Sequence, residues 1–277
     1  VAAGFHLTKW YLDAIAPDGS ATIGYWARMS WGLLAVRYAA ILEVPADLSM
    51  PVIERTSLLS PAEPVASDLG VTWKVPRLGV DTQWHADGPP SARSGIRHEL
   101  LAEEAVVWQC LAPVARVQSA GAHVFGRPRN GVQDTQRVTG YAERLTMNME
   151  PWKVPVDVLH WGRVAHATLS VVWIQWHGSH PLTLVFVDGI ARADAIVRDT
   201  EISWNRGKIT LEPRRIIRDA TLGDGPAKSV PLLARAVPQR ILDTHETKWL
   251  SSAILPSGDR AWAIHEVVRF GGQDASG

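Results

Sequence analysis

GYAERLTMNMEPWKVPVDVLHWGR, residues 140–163, reads as a strand, a proline-marked turn and a second strand. Side chains alternate across a strand with period two, so Tyr141, Glu143, Leu145 and Met147 share one face. Ala142, Arg144 and Thr146 take the other. One carboxylate, Glu143, therefore stands in an apolar row. If that face is a core or a pocket, loss of water disfavours the charged form and suits a general acid. The pattern equally fits a solvated face, or a Glu143 paired with a buried arginine.

The same alternation runs outward through the chain. Phe5–Ala14 and Thr22–Ser30 flank Pro17-Asp18-Gly19, a turn signal, and predict a hairpin. Trp31–Val44 predicts a third strand. Residues 45–70 are rich in Pro, Ser and Ala and predict a long connection with a short strand at Val52–Leu58. Val71–Val75, Asp81–His85, Ile96–Leu101, Ala105–Ala112 and Val114–Gln118 follow as short strands. Gly121–Gln136 reads as a loop or lid. Thr168–His177 and Pro181–Val187 form a hairpin around Gly178-Ser179-His180. Short strands are expected within 191–212, with a tight turn at Asn205-Arg206-Gly207. Gln239–Leu250 and Arg260–Phe270 complete the set. In the last, Glu266 shares a face with Trp262, Ile264, Val268 and Phe270, a second carboxylate in an apolar row. No four-turn amphipathic helix is present. The expectation is an all-β chain of roughly 16 to 20 strands in antiparallel hairpins, too many for one small sandwich. Two consecutive β-barrel domains fit, at 1–136 and 137–277.

Composition narrows function. The 277 residues carry 28 basic and 28 acidic side chains, so no long-range field favours nucleic acid or an anionic surface. No basic run with interleaved aromatics marks a nucleic-acid partner. No apolar run reaches the roughly 18 residues of a bilayer span. Cys110 is the single cysteine and reads as a small buried residue. It fits a reducing compartment. The opening VAAGFHLTKWYLDA lacks a signal-peptide pattern. A cytoplasmic location is the expectation. Thirteen tryptophans stand against four phenylalanines and four tyrosines. Such rings can fill a barrel or wall a pocket for a large apolar ligand.

There is no phosphate loop, dinucleotide fingerprint or Gly-x-Ser-x-Gly elbow. His177 and His180 come nearest to ligand spacing but lack a companion carboxylate or Cys, so no metal is expected. Lys9 with Asp13 reads as a surface or rim ion pair, or a catalytic pair. Asp81, Gln83 and His85 form a polar face, or the polar end of a pocket. Glu143 with Glu266 could serve as paired carboxylates for glycoside hydrolysis.

Gly140-Tyr141-Ala142-Glu143, Pro151-Trp152 and His160-Trp161-Gly162-Arg163 resemble the central signature of the lipocalin-like superfamily of carotenoid 1,2-hydratases (hydroxyneurosporene synthases) and AttH-like proteins. The hairpin from Val171 to Val187, with Trp173 and Trp176, also resembles it. The resemblance implies two lipocalin-like barrels around an apolar cavity, with no cofactor and a hydrophobic small molecule as partner. The hydratases carry Trp-Asp followed by Asn where this chain has Ala-Glu, so a smaller isoprenoid or a polyketide is as suitable as a carotenoid. It further implies acid-assisted alkene hydration or cyclisation. Glu143 is the expected acid, with Tyr141 or His160 handling water or the returning proton, and Glu266 is a further catalytic candidate. Trp26, Trp84, His85, Trp161, Trp173 and Trp176 would line the substrate, and Arg163 would position Glu143. A pericyclic cyclase working by shape alone, or a carrier without turnover, uses the same barrel.

Overall fold

The computed structural model describes residues 4–59, 61–87, 95–119, 138–224 and 237–271. The expected loop or lid at Gly121–Gln136 lies outside them. The described chain is all-β, with two antiparallel sheets. Two compact units emerge: Val1–Glu150 with Ala165–Ser170 and Asp188–Ile190, and Pro151–Val164 with Val171–Val187 and Ala191–Gly277.

The first sheet holds β1 (His6–Ile15), β2 (Ala21–Trp31), β3 (Leu34–Val44), β4 (Ile53–Ser57), β5 (Val65–Ser67), β6 (Gly70–Val75), β7 (Val80–Ala86), β8 (Ile96–Leu101), β9 (Val106–Ser119) and β10 (Thr139–Met147). Its order is β4-β3-β2-β1-β10-β9-β7-β6-β5, with β8 on β9. Strand β10 is inserted between the first strand and the ninth, matching Leu7 to Met147 and Ile15 to Thr139. The first compact unit accordingly includes β10.

One face of this sheet is the core. Trp10, Leu12, Ala14, Trp26, Ala39, Ile41, Trp73, Trp84, Ala112 and Ala142 pack into a single buried cluster. Large rings face small residues, and the small residues are what let strands curl around the rings. Trp73 on β6 covers Gly24 on β2, where an added Cβ would come within 2.6 Å of the ring. The two strands are far apart in the sheet order, so the sheet bends round to bring them together. Each indole N–H has a partner, as a buried ring requires. Trp26 donates to Pro61 O at 3.0 Å, Trp73 to Ala62 O at 3.0 Å, Trp84 to Asp13 O at 2.7 Å and Trp10 to Glu63 Oε1 at 3.0 Å. The Pro-rich connection expected from the sequence thus supplies acceptors that tie the rings down.

The second sheet holds β11 (Val158–His166), β12 (Leu169–His177), β13 (Leu182–Val187), β14 (Ile190–Ala191), β15 (Ile196–Arg198), β16 (Glu201–Trp204), β17 (Gly207–Thr221), β18 (His245–Ile254) and β19 (Arg260–Arg269). Its order is β14-β13-β12-β11-β19-β18-β17-β16-β15, the same arrangement of an early strand against a late one. Pro213 lies within β17, and the ladder to β18 shifts register between Pro213 and Arg215, which absorbs a residue that cannot donate. Here too a glycine seats a ring: a Cβ on Gly162 would stand 2.2 Å from Trp173 and 2.7 Å from the His265 Cβ.

Two expectations change. Gln239–Leu250 is not one strand, because Gln239–Leu242 forms a single-turn helix, α1, before β18 begins at His245. Pro238 at its N-terminal edge starts it. The strand–turn–strand of 140–163 is present, but its arms do not pair: β10 belongs to the first sheet and β11 to the second. Among the described residues no helix is long and apolar enough to cross a membrane.

Gly140 is the sharpest steric test of this architecture. A Cβ there would lie 2.4 Å from Val117, 2.7 Å from the Asp13 carbonyl and 2.8 Å from the Trp84 ring. The carbonyl belongs to the ladder and cannot yield. Gly140→Ala is expected to cost about 1–3 kcal/mol or more in urea unfolding. A Gly4→Ala control, where no atom lies within 4 Å, is expected to be near neutral.

Candidate functional site

The face of the first sheet opposite the tryptophan core carries the candidate site. Register places Tyr11 between Tyr25 and Glu143, and Glu143 beside Cys110. Tyr141 stands across from Asp13. The rings of Tyr11 and Tyr25 meet edge to face at 5.5 Å, and those of Tyr11 and Tyr141 at 6.0 Å. Tyr11, Tyr141, Cys110 and Asp13 are all buried and Glu143 is half-buried.

The Glu143 carboxylate is held from two sides. Trp108 Nε1–H donates to Oε2 at 2.6 Å, and the Tyr141 hydroxyl donates to the same oxygen at 2.7 Å. Both donors favour the ionised carboxylate. The ladder is irregular at this point. Between β9 and β10 the register shifts at Gly140/Ala142 and again at Ala142/Glu143. Two bulges in three residues bend the strand and re-aim its side chains, and they accommodate Pro113 in β9. Cys110 thereby reaches the Glu143 face while Ala112 stays in the tryptophan core.

Burial pushes the Tyr141 phenol well above its ordinary range, and the neighbouring Cys110 and Glu143 add to the rise. It remains a hydrogen-bond donor at any physiological pH. Burial likewise raises the Cys110 thiol, with Glu143 and Asp13 adding to the rise and a hydrogen bond with Tyr141 opposing it. Cys110 is a protonated, enclosed thiol rather than a nucleophile.

Sequence reasoning found Glu143 and Tyr141 on one face, and they touch. It missed Trp108, whose indole binds the carboxylate; it read Cys110 as a small buried residue, and Asp13 as half of a surface, rim or catalytic pair with Lys9, whereas Asp13 is fully buried. The only signal was that Trp108 and Cys110 alternate in β9, which fixes a face but no partner strand. Trp26 and Trp84 lie in the filled core. His85 on β7 is half-buried, and its Nε2 has no hydrogen-bond partner among the described residues.

The remaining candidates, His160, Trp161, Arg163, Trp173, Trp176 and Glu266, belong to the second unit. Glu266 is paired with the fully buried Lys248, which also lies 3.3 Å from Glu246 and 5.6 Å over the Trp161 ring. Arg218 approaches Glu246 at 3.9 Å. Two cations and two carboxylates compensate one another, as buried charge requires. Arg163 is fully buried, and Trp176 is buried with no partner for its Nε1 among the described residues. His160 meets His177 edge to face at 5.7 Å. Burial lowers the His160 imidazole, helped by His177 and Arg269 and opposed by Asp199. His265 bonds Ser251 Oγ through Nε2 at 2.8 Å and stacks on Trp249 at 5.1 Å. Among the described residues no group of three His, Cys, Asp or Glu side chains could hold a metal ion.

His265 gives a pH test. Burial, with His160 and Lys248 adding, lowers it to about 4. A folded pKa below the unfolded value means the unfolded chain binds the proton more readily. Its stabilisation is full above about 6.5 and is lost as pH falls towards 4. Urea unfolding is expected to lose on the order of 3 kcal/mol across that window from this group, a loss that His265→Gln removes.

No protein-family model and no curated protein matches the sequence. Solved structures do. CghA in complex with Sch210972 matches with a TM-score of 0.60 at 13% identity, covering 97% of this chain and 89% of that one. CghA alone matches with a TM-score of 0.62 at 13% identity, over 97% and 90%. A protein of Nitrosomonas europaea assigned to the AttH group matches with a TM-score of 0.55 at 9% identity, over 96% and 92%. The chain has the fold of the CghA and AttH structures along nearly its whole length.

Proposed function

We propose that this protein is an enzyme with lipocalin-like barrels acting on an apolar isoprenoid- or polyketide-like metabolite, which it hydrates or cyclises at Glu143 of the first unit. The carrying observation is one carboxylate held by the Trp108 indole and the Tyr141 phenol beside the packed rings of Tyr11, Tyr25 and Tyr141. The fold shared with CghA, a protein solved with a bound small molecule, supports a small-molecule ligand. In hydration, the proton that Glu143 delivers to the alkene carbon is replaced by the one the attacking water loses. The carboxyl group is thus restored at each turnover. The rings of Tyr11, Tyr25 and Trp108 would stabilise a cationic centre by roughly 0.5–2 kcal/mol each.

A second reading is supported by the same hydrogen bonds. Two donors on Oε2 favour the ionised carboxylate, which is a poor acid. In a pericyclic cyclisation no acid is required. The face folds the chain towards its transition state, and Glu143 fixes the Tyr141 hydroxyl.

Isotopes separate the readings. An apolar molecule extracted from the purified protein is converted in H2(18)O or in D2O and followed by mass spectrometry. Hydration places one heavy oxygen in the product, acid-initiated cyclisation places one deuterium on carbon, and a pericyclic step places neither. For acid–base chemistry Glu143→Gln is expected to lower kcat by about 10²–10⁴ while leaving substrate affinity within a few-fold. Unchanged kcat in that variant would defeat the acid–base reading. Retinol quenching of tryptophan fluorescence without turnover of any extracted ligand would mark a carrier instead.

Tyr141→Phe is a finer probe. It removes one donor from Oε2 without disturbing the ring. For acid–base chemistry the alkaline limb of the kcat/KM profile, where the acid gives up its proton, is expected to move to higher pH, because the carboxylate loses a bond that favours its charge. A profile unchanged in shape would exclude a titrating Glu143 from the rate-determining step.

A further inference from the structure

The β2–β3 hairpin carries an arrangement that the Glu143 site does not use. Arg28 and Arg37 are directly opposite one another across the ladder, and both are exposed. Like charges facing across strands are destabilising. Neither arginine forms an ion pair among the described residues, whereas Arg55 on the neighbouring β4 pairs with Glu43 at 3.0 Å. The turn beyond them is apolar where hairpin turns are normally polar. Trp31 pairs with Leu34, Gly32 adopts a left-handed conformation at φ 58°, and Leu33 at the tip is 107% exposed. Leu58 and Leu59 follow β4 at the same end of the sheet, since Ser57 pairs with Ala39, and both are exposed. One end of the first unit thus combines three solvent-facing leucines with two uncompensated guanidinium groups, in a chain of formal net charge zero.

An apolar tip flanked by arginines matches the edge of an anionic bilayer. The leucines leave water for the acyl boundary, and the guanidinium groups take phosphate or carboxylate oxygens of the headgroups. A like-charge pair that is unfavourable in water becomes favourable against that surface. We propose that the β2–β3 hairpin tip, with Leu33 as its inserting residue and Arg28 and Arg37 as headgroup contacts, docks the protein on anionic lipid membranes. The proposal stands apart from Glu143, and the two fail separately: vesicle binding is read without substrate.

The test is co-sedimentation of the full chain with phosphatidylcholine vesicles, with and without phosphatidylserine. Binding to the phosphatidylserine vesicles and not to the neutral ones is expected, and it should weaken as salt screens the headgroups. Arg28→Ala/Arg37→Ala is expected to lower the partition coefficient about 20-fold, and Leu33→Asp several-fold. Far-ultraviolet circular dichroism should stay unchanged in both, because all three side chains are exposed. Equal binding to both vesicle types, no binding, or binding unaffected by either variant would overturn the proposal. So would Leu33-dependent pelleting in buffer without vesicles, which would mark self-association.

Discussion

Tryptophan rings seated on glycines hold this protein together. Gly24 receives Trp73, Gly140 receives Trp84, and Gly162 receives Trp173. In each case the missing Cβ is the space the ring occupies. A ring on one strand that meets an absence on another lets the sheet close over it without a clash. The rings also need polar partners, and backbone carbonyls at Asp13, Pro61 and Ala62 supply them in the first unit. Curvature, packing and hydrogen bonding are therefore solved by the same few residues.

That constraint explains the site on the other face. Because side chains alternate, filling one face of β10 with Ala142 and the Gly140 seat leaves Tyr141 and Glu143 on the opposite side. The bulged register at these residues places Cys110 and Trp108 against them. The Glu143 carboxyl group accepts hydrogen bonds from an indole and a phenol. Both are neutral donors that stay donors, Tyr141 because burial keeps its proton on. The result is a carboxyl group held by neutral donors among aromatic rings, with the buried Asp13 opposite Tyr141, a setting suited to an apolar ligand with one reactive point.

Much of the fold was legible because hairpins are local. The pairing of β1 with β2, of β12 with β13, and the Asn205-Arg206-Gly207 turn follow from alternation and turn chemistry. What was not legible is long-range. Nothing in residues 140–163 says that its two arms pair into different sheets, because strand period fixes a face and not a neighbour. For the same reason the tryptophans could be counted but not assigned. Trp26 and Trp84 fill a core, whereas Trp108 binds the catalytic candidate, and the three look alike in sequence. The helix at Gln239–Leu242 was hidden because its four residues are too few to show a helical period.

The insertion of β10 between β1 and β9 has a bearing on how the protein is made. Strand β1 leaves a ribosome early, yet one of its two edges stays without a partner until residues near 147 have been synthesised. The second sheet repeats the problem, since β11 awaits β19. Contacts of such long sequence separation are slow to form, and the open edges meanwhile invite pairing with other chains. The strand that closes the first sheet is also the one that carries Tyr141 and Glu143. The site therefore comes into being only at the step that completes its sheet, so a partly folded chain cannot display it.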